Sequence, residues 1–500
     1  MKTRFYAFAI AGAMALAAIT GCKKGGGGGD NPDPNPPDPP AGDLVYNKTF
    51  GGSGDDYVNP DPHYSLFNTR DIKLDSDGTV WMCGSTASTD GDFAANHGGI
   101  DAWLLHIDPA TDHVLYSRCF GGSSFDEFCS MVLVDGTVWV AGTTGSSDGD
   151  LTGVTIKGNY DGWVMHIDPS QATPAAQITY NRCIGGPADD LFYKIAIAPD
   201  KSAIWLCGET FSAAGDNTGS GFHTGSGSDA WLVSIDPTKS ATFALKYNRC
   251  FGGTSGDGFD ALQPMNDGTI WVCGITRSID GDIAAALTVN HGTVGTQDGW
   301  LVHINPSFTP GSQLIYNRCF GGTNNEIFDS MSVLTDGTIW LKGSAGSANG
   351  DLLSAGKHGG VDVWLLHINP SAAFSPADQQ IVYNRCFGGS ADDGTNYSNF
   401  TVASDGTIWV TAETKSTDGD LATAGNKGGL DTWAFNLNPS TNQFNYNKCW
   451  GGTGDEVCPA IAPDAARNCM WVSCGTTSNA TGDVPATKGK RDAWIFNVRK

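Results

Sequence analysis

The stretch Tyr-Asn-Arg-Cys-Phe-Gly-Gly at Tyr247–Gly253 occurs again without change at Tyr316–Gly322 and Tyr383–Gly389. Near copies of it begin at Tyr46, Tyr116, Tyr180 and Tyr446. The first glycines of the seven pairs are spaced 63 to 70 residues apart, at Gly51, Gly121, Gly185, Gly252, Gly321, Gly388 and Gly451. A repeat of this length predicts that the body of the chain is an array of equivalent structural units.

Each unit contains four short runs of β-branched and aromatic residues, bounded by Gly, Pro, Asn and Asp. A glycine pair and an acid precede the first run, and an Asp-Gly-Thr turn leads into the second, as in Thr269–Gly274. The third run starts with Asp-x-Trp, as in Asp101–Ile107, and the Tyr-Asn-Arg-Cys run is the fourth. Such runs predict strands, and no helical period interrupts them. Seven units of four antiparallel strands predict an all-β fold, a single seven-bladed β-propeller.

The two ends of this body complement each other. It opens with Leu44–Phe50, which has the sequence of a fourth strand, and it finishes with Trp494–Val498, which has the sequence of a third strand. We therefore expect residues 44–500 to form the propeller, with the N-terminal strand completing the last blade in a three-plus-one closure. Such a closure removes the open edge of the ring.

The repeat resembles a known bacterial family. The run Gly51–Asp56, the loop Asp90-Gly91-Asp92 with Asn96–Gly99, and Asp101 are similar to the bacterial seven-bladed β-propeller repeat family. The resemblance covers about nine-tenths of the chain. It implies a cell-surface or secreted protein, and it transfers no defined catalytic residues. This chain departs from the family pattern in its many tryptophans and its recurrent cysteines.

The N-terminal segment has the composition of an export signal. Met1–Arg4 is positively charged, and Phe5–Ile19 is an apolar run too short for a comfortable membrane span. The sequence Ile19-Thr20-Gly21-Cys22 resembles the bacterial lipobox. This resemblance implies that residues 1–21 are a lipoprotein signal peptide and that Cys22 is lipidated.

Residues 22–43 combine a five-glycine run with a proline-rich stretch. Glycine makes the first part flexible and proline makes the second part extended, which predicts a tether between the lipid and the propeller. The expected partner is therefore a membrane, contacted through the lipid anchor. In bacterial lipoproteins, an Asp directly after the lipidated cysteine resembles an inner-membrane retention signal. Here Lys23 occupies that position, which favours an outer-membrane lipoprotein. Surface exposure is expected, and the periplasmic face remains open.

The charge balance excludes one class of partner. The 500 residues include 29 Lys and Arg against 53 Asp and Glu, a formal net charge of −24. This field repels phosphate backbones, so nucleic acid is not an expected partner. A glycan or a protein ligand remains open, and we expect a monomer.

Acids recur in the loop between the second and third strands. A Gly-Asp step and the Asp-x-Trp acid occur in every unit, and two or three carboxylates meeting there would suit Ca²⁺, which prefers clustered oxygen ligands. Hydrogen bonds from turn N–H groups to the carboxylates explain the same recurrence without an ion. No other cofactor is called for. The calcium candidates are Asp90, Asp92, Asp101, Asp148, Asp150, Asp161, Asp280, Asp282, Asp298, Asp418, Asp420 and Asp431.

Tryptophan and histidine recur on the strands. Each second and third strand carries one tryptophan, which predicts packing between blades rather than sugar-binding platforms. The third strand also carries a polar position, filled by His106, His166, His303 and His367 and elsewhere by Ser234, Asn436 and Asn497. No Cys-x₂-Cys or similar spacing accompanies these histidines, so we expect them to be hydrogen-bonding residues and not metal ligands.

The chain has 14 cysteines, of which Cys22 is the lipidation candidate. Most of the others lie on second and fourth strands, which are two strands apart in a meandering blade. That separation of about 9–10 Å exceeds what a disulfide spans, so we expect buried thiols. Cys458 and Cys474, predicted on adjacent strands of the last blade, are the one candidate bridge.

No local pattern pairs a nucleophile with a base, or two carboxylates for glycoside cleavage. The sequence therefore favours a surface binding or adhesion module of unknown ligand, without excluding an enzyme. The alternative is a carbohydrate-active enzyme, a glycoside hydrolase or lyase, with its site at the mouth of the propeller channel. A third interpretation is a structural subunit of an envelope assembly.

Overall fold

Short runs of β-branched and aromatic residues, separated by turn residues, form strands throughout the body of the chain. A computed structural model describes residues 44–56, 71–93, 95–225, 227–292, 295–374, 378–395 and 398–499, all in one structural unit. The predicted signal peptide (1–21), the lipidation site Cys22 and the tether (22–43) lie outside the described residues.

The strands form seven four-stranded antiparallel sheets, which are the blades of one ring. Blades 1 to 4 consist of β2 (Asp71–Leu74), β3 (Val80–Thr86), β4 (Asp101–Asp108) and β5 (His113–Phe120); β6 (Asp126–Val134), β7 (Thr137–Thr144), β8 (Asp161–Ile167) and β9 (Ile178–Ile184); β10 (Asp190–Ile197), β11 (Ile204–Thr210), β12 (Asp229–Ile235) and β13 (Tyr247–Phe251); and β14 (Asp257–Pro264), β15 (Ile270–Thr276), β16 (Asp298–Ile304) and β17 (Leu314–Phe320). Blades 5 to 7 consist of β18 (Glu326–Val333), β19 (Ile339–Ala345), β20 (Asp362–Ile368) and β21 (Ile381–Phe387); β22 (Phe400–Val402), β23 (Ile408–Thr414), β24 (Asp431–Asn438) and β25 (Gln443–Trp450); and β26 (Glu456–Asp464), β27 (Cys469–Thr476), β28 (Asp492–Arg499) and β1 (Asn47–Phe50).

Helix is almost absent from the described residues, as the sequence predicts. The one α-helix is the four-residue turn Pro174–Gln177. Short 3-10 turns occupy most of the loops between second and third strands, and one lies before β17: Gly91–Phe93, Gly149–Leu151, Gly215–Asn217, Gly281–Ala285, Gly350–Leu352, Gly419–Leu421 and Pro310–Ser312. Among the described residues, no helix has the length and apolarity needed to cross a membrane.

The ring closes through its two ends, which confirms the three-plus-one prediction. β1 pairs with β28 in antiparallel register, with Asn47 opposite Phe496 and Phe50 opposite Ala493. The indole Nε1 of the fully buried Trp494 donates to Asn47 Oδ1 at 2.6 Å. The first strand of the chain is thus the fourth strand of the last blade.

The layers of each blade follow from its position in the ring. The first strands contact the first strands of the two neighbouring blades in cyclic order, so they line the central axis. Second strands such as β11 are buried along their whole length because neighbouring sheets cover both faces. All fourteen tryptophans of the second and third strands are buried, which confirms that they pack between blades.

Candidate functional site

One buried carboxylate closes every junction between a fourth strand and the next first strand. In blade 4, Asp257 accepts hydrogen bonds from Gly253 N (2.8 Å) and from the hydroxyls of Thr276 and Ser278. We call this arrangement the Gly-Gly clasp. The equivalent acids accept the N–H of the second glycine at 2.5 to 2.8 Å in all seven units, and they are Asp56, Asp126, Asp190, Asp257, Glu326, Asp393 and Glu456. The same contacts in every blade identify the clasp as a structural device.

The glycine pair is required because two carboxylates approach its first member. A Cβ placed on Gly451 would lie 2.3 Å from Glu456 Oε2 and 2.5 Å from Asp431 Oδ1, closer than any side chain tolerates. Asp431 belongs to blade 6 and Glu456 to blade 7, so each junction between blades holds two buried acids. Burial and the nearby Glu456 raise the pKa of Asp431 to about 6.

The first acids of the Asp-Gly-Asp loops cap the turn after the glycine pair. Asp280 Oδ1, for example, accepts Thr254 N at 2.8 Å, and these bonds lower the pKa of Asp280. The equivalent contacts, 2.6 to 2.8 Å long, are made by Asp90, Asp148, Asp280 and Asp418. Asn349 and Thr481 make them in two other units. This is the turn chemistry that the sequence predicts.

The second acids of these loops bind the first glycine or a basic side chain. Asp92, Asp282 and Asp420 accept the N–H of the first glycine of their own unit at 2.9 to 3.2 Å. Asp150 instead accepts from Arg118 Nη2 at 2.8 Å and so links blade 2 to blade 1. These acids therefore also hold loops together.

The Asp-x-Trp acids accept the N–H of a basic residue that precedes them in the loop. Asp101, Asp161, Asp298 and Asp431 accept from residues His97, Lys157, His291 and Lys427 at 2.8 to 2.9 Å. A basic residue holds this place in every unit: His97, Lys157, His223, His291, His358, Lys427 and Lys488. The sequence predictions do not include this recurrence; its signal is the basic residue four to seven positions before each Asp-x-Trp acid.

Several of these basic residues connect neighbouring blades. Lys157 Nζ lies 2.8 Å from Asp216 Oδ2, and Lys427 Nζ lies 2.7 Å from Asp483 Oδ2, in each case one blade further on. Lys488 makes the same ion pair across the closure of the ring, to Asp92 in blade 1. The ion pairs thus reinforce contacts between loops of successive blades.

The calcium candidates of one unit are held by different donors. Asp90, Asp92 and Asp101 bind Ser53 N, Gly51 N and His97 N respectively. Within the part of the chain that the structure describes, no group of three or more His, Cys, Asp or Glu side chains is arranged to hold a metal ion. Calcium binding by these loops stays a prediction.

A second recurrent set forms a row across strands two, three and four of each blade. In blade 4, His303 lies opposite Trp271 on one side and opposite Tyr316 on the other. Its imidazole stacks on the indole, with ring centroids 4.1 Å apart and planes 8° apart, and its Nε2 lies 2.7 Å from Thr269 Oγ1. His106, His166 and His367 make the same stack and the same bond. The predicted hydrogen-bonding role of these histidines is confirmed.

Burial lowers the pKa of all four imidazoles, and that of His303 falls to about 4. The neutral ring is therefore the form that this place accommodates. In blade 6, Asn436 replaces the histidine and still bonds its turn threonine, Thr407, at 3.1 Å.

Blade 3 breaks this row. Ser234 stands where the histidine would be, and Ala203 stands where the turn threonine would be. Trp205 and Tyr247 nevertheless keep a centroid separation of 5.5 Å, within the 5.2 to 6.0 Å of the four blades that contain histidine. Blades 6 and 7, which also lack the histidine, keep separations of 5.3 and 5.5 Å, so this distance follows from the strand register and not from the imidazole.

A cleft of about 480 Å³ opens at this place between blades 3 and 4; we call it the third-blade cleft. Trp205 and Ser234 line its inner end, and Asp200, Asp267 and Lys246 line its mouth. Ser234 Oγ is buried, and none of the described residues hydrogen-bonds to it. Ser234 as a whole is fully buried, so this hydroxyl is not exposed to solvent in the cleft.

The charges at the mouth are fixed by the turns that carry them. Hydrogen bonds from Ser202 lower the pKa of Asp200, and those from Thr269 lower the pKa of Asp267, so both carboxylates are ionised at neutral pH. Lys246 Nζ donates to Ser202 O at 2.9 Å, which places this exposed side chain across the mouth. The mouth of the cleft thus combines two carboxylates and one ammonium group.

The described first strands bring further charges to the ring axis, without repeating them from blade to blade. Lys342 is fully buried and bonds Asp329 Oδ2 at 2.7 Å. Asp71 lies 2.8 Å from Lys73 Nζ and 3.7 Å from Lys194 Nζ. These acids are engaged by lysines of the same strand, of the adjacent strand or, for Lys194, of another blade. The repeat pattern does not predict the pairs because the residues do not recur from unit to unit.

Thirteen cysteines are buried in the described residues, which confirms their expected role as small apolar side chains. Burial raises the pKa of the Cys119 and Cys250 thiols to about 12. The structure does not join Cys458 and Cys474 in the predicted disulfide. A bulge between Val457 and Ala460 shifts the register of β26 against β27 at this point.

The fold defines the class of protein: a seven-bladed β-propeller. No protein-family model matches the chain, and no curated protein sequence matches it. Polysaccharide lyase Uly1 is 10% identical over 89% of this chain and 92% of its own, with a TM-score of 0.46. The hydrazine synthase of Kuenenia stuttgartiensis is 10% identical over 83% and 95%, with a TM-score of 0.42. A Dyadobacter fermentans protein of unknown function is 12% identical over 92% and 100%, with a TM-score of 0.38.

Proposed function

We propose that this protein is a lipid-anchored surface module of the bacterial β-propeller repeat family, which binds its ligand in the third-blade cleft. The anchor rests on the lipobox-like sequence before Cys22 and on the glycine- and proline-rich tether at 22–43. The outer membrane, with the propeller exposed at the cell surface, is the proposed location.

The observation that carries the binding role is the contrast between the cleft and the rest of the repeat. The Gly-Gly clasp and the capped loops make the same contacts in blade after blade, so they serve the ring. At the third-blade cleft the pattern changes: Ser234 replaces the histidine, and a concave site lies beside it, lined by Trp205 and by the charged residues of the mouth. Pockets of this composition are typical of small-ligand and sugar recognition.

The cleft offers no acid–base pair for catalysis. Asp200 and Asp267 are ionised and engaged in their own turns, while a glycoside hydrolase needs one carboxyl group protonated as an acid. This favours binding over hydrolysis at the cleft.

The test is an array of glycans and envelope or matrix proteins, probed with the tethered propeller and with a variant whose cleft is filled. The substitution Ser202→Trp puts a large side chain on an exposed residue of the cleft, so the variant should fold and fill the cleft. A ligand that binds the natural chain and not the filled variant supports the proposal. A ligand that binds both equally, or one that is cleaved on the array, overturns it.

The anchor has a separate test. Cys22→Ser removes the thioether site, and we expect the exported protein to move from the detergent-soluble membrane fraction to the aqueous fraction. Continued membrane association of this variant would contradict lipidation at Cys22.

A further inference from the structure

A basic residue stands two positions after the tyrosine of every fourth strand: Lys48, Arg118, Arg182, Arg249, Arg318, Arg385 and Lys448. In three junctions between blades, the arginine and the tyrosine bind one oxygen atom of the next blade. That atom is the amide Oε1 of a glutamine, which accepts from the tyrosine hydroxyl and from the arginine Nη1 at 2.8 to 3.0 Å. The glutamines are Gln177, Gln313 and Gln380.

Two of these arginines also hold a carboxylate. Arg318 binds both oxygens of Asp378, with Nη1–Oδ1 at 3.3 Å and Nη2–Oδ2 at 2.6 Å. Arg118 Nη2 lies 2.8 Å from Asp150 Oδ1. The planar guanidinium suits such paired bonds to a carboxylate. An arginine at this position is therefore placed to bind oxygen acceptors.

The junction between blades 2 and 3 lacks these partners of the arginine. Ala244 stands where the glutamine would be, three positions before the tyrosine of its strand. Ile184 replaces the phenylalanine ring over which four other arginines lie, 4.1 to 5.0 Å from the ring centroid. Asp216, the counterpart of Asp150, is paired with Lys157 Nζ at 2.8 Å. Three replacements thus leave Arg182 with fewer contacts than its counterparts.

A cleft of about 370 Å³ opens beside this residue; we call it the Arg182 cleft. Arg182 lines it together with Thr218, Gly219 and Ala244 of blade 3. These three residues of blade 3 are exposed and Arg182 is half-buried, so the cleft is open to solvent and the guanidinium can be reached. Its volume is at the lower end of the range for small-molecule sites.

Arg182 keeps donors that the fold does not use. Within the part of the chain that the structure describes, its hydrogen-bond partners are Phe243 O, 2.6 Å from Nη1, and the Tyr180 hydroxyl, and no carboxylate pairs with it. A guanidinium has five N–H donors. The carboxylate of Asp216 also lines the cleft, but the ammonium of Lys157 compensates its charge.

We propose that the Arg182 cleft binds the carboxylate group of a small organic acid, through paired hydrogen bonds to the Arg182 guanidinium. The bound group takes the position of the glutamine oxygen in the sister junctions and makes the contact that Asp378 makes with Arg318. The proposal does not depend on the third-blade cleft, which lies between blades 3 and 4 and shares none of its lining residues with the Arg182 cleft.

The test is calorimetry of the full chain at pH 7 with two acids, glucuronate and N-acetylglycine, each compared with its uncharged amide. We expect saturable binding of at least one acid and at least about tenfold weaker binding of the matching amide. The acid that binds more tightly tells whether the carboxylate belongs to a sugar acid or to an acylated amino acid. If neither acid saturates the protein, or if an acid and its amide bind equally, the proposal is refuted.

Three variants locate the site. Arg182→Gln removes the guanidinium and should lower the affinity for the acid at least about tenfold. Ala244→Gln puts the glutamine of the sister junctions beside Arg182, at an exposed position where folding should not suffer, and should cause a similar loss. Arg249→Gln is the matched control and should leave the affinity unchanged, because Gln313 already occupies the equivalent place in its junction.

The outcomes separate this proposal from the proposed function. Unchanged affinity in Arg182→Gln refutes the role of the guanidinium. A loss in Arg182→Gln without a loss in Ala244→Gln refutes the assignment of the acid to the vacated glutamine position. Ser202→Trp fills the third-blade cleft only, so it should abolish binding of an array ligand and leave binding of the acid intact. Melting curves of all variants show that they are folded.

Discussion

The non-covalent closure predicts where this ring opens first. Asn47 of β1 accepts from Trp494 Nε1 at 2.6 Å, and its own Nδ2 donates to Asp483 O at 2.8 Å. Asn317 makes the same pair of bonds inside blade 4, with Trp300 Nε1 at 2.8 Å and Asp282 O at 2.7 Å. The substitutions Asn47→Ala and Asn317→Ala therefore remove identical contacts from a closing blade and from a continuous one.

The magnitude follows from the burial of the indoles. Trp494 and Trp300 are both fully buried, so each substitution leaves an indole N–H without its acceptor, at about 1–3 kcal/mol, and removes a second bond worth about 1 kcal/mol. Both variants should lose about 2–4 kcal/mol of unfolding free energy in denaturant titrations. In the closing blade, the lost bonds are those of β1, a strand of only four residues that continues into the ring at one end. We therefore expect β1 to separate from β28 more readily than a fourth strand inside the ring separates from its neighbour.

The assay that separates the two variants is hydrogen exchange. The amide of Asn497, which donates to Tyr46 O at 3.2 Å, should exchange roughly 30- to 1,000-fold faster in Asn47→Ala, because each 1.4 kcal/mol is a factor of ten. The third strand of blade 4 should show a much smaller local effect in Asn317→Ala. If Asn497 exchanged no faster in Asn47→Ala than in Asn317→Ala, the view of β1 as the weak point of the ring would be refuted.

Three further predictions concern the acids. The folded state raises the pKa of Asp431 to about 6, so the folded chain binds a proton at this carboxyl more tightly than the unfolded chain does. Protonation of Asp431 therefore stabilises the folded state fully below about pH 4, and this stabilisation is lost as the pH rises through about 6. Asp431→Asn, which imitates the protonated acid, should therefore stabilise the protein by about 1–2 kcal/mol at pH 8 and not at pH 4, measured by urea unfolding at both values; equal effects at both would contradict the raised pKa. Asp257→Ala removes the acceptor of three buried donors and should lower the free energy of unfolding by about 3–5 kcal/mol. Asp280→Ala removes an exposed cap and should lower it by about 1 kcal/mol or less. Similar losses in the two variants would mean that the clasp is not structural. If the loops bind calcium, a chelator should lower the melting temperature, and an unchanged melting curve would rule that interpretation out.

Much of the fold was present in the sequence because its signals are local. The alternation of apolar and turn residues defines strands within a run of seven or eight positions, and the spacing of the glycine pairs counts the blades. Even the closure was readable, since Leu44–Phe50 has a fourth-strand sequence and the chain finishes on a third-strand one. The buried tryptophans followed from the same periodicity, because a ring of sheets covers both faces of its inner strands.

The partners of individual side chains were decided by tertiary structure. The sequence showed that Ser234 replaces a histidine, but only the packing of blade 3 against blade 4 shows that Ser234 is fully buried and that a cleft lies beside it. The pair Lys488–Asp92 joins residues 396 positions apart, and the axis pair Asp71–Lys194 joins different blades. A repeat pattern indicates which face of a strand a residue occupies. Which group of the neighbouring sheet that face contacts depends on how the sheets pack against each other, and a local sequence pattern does not determine this packing.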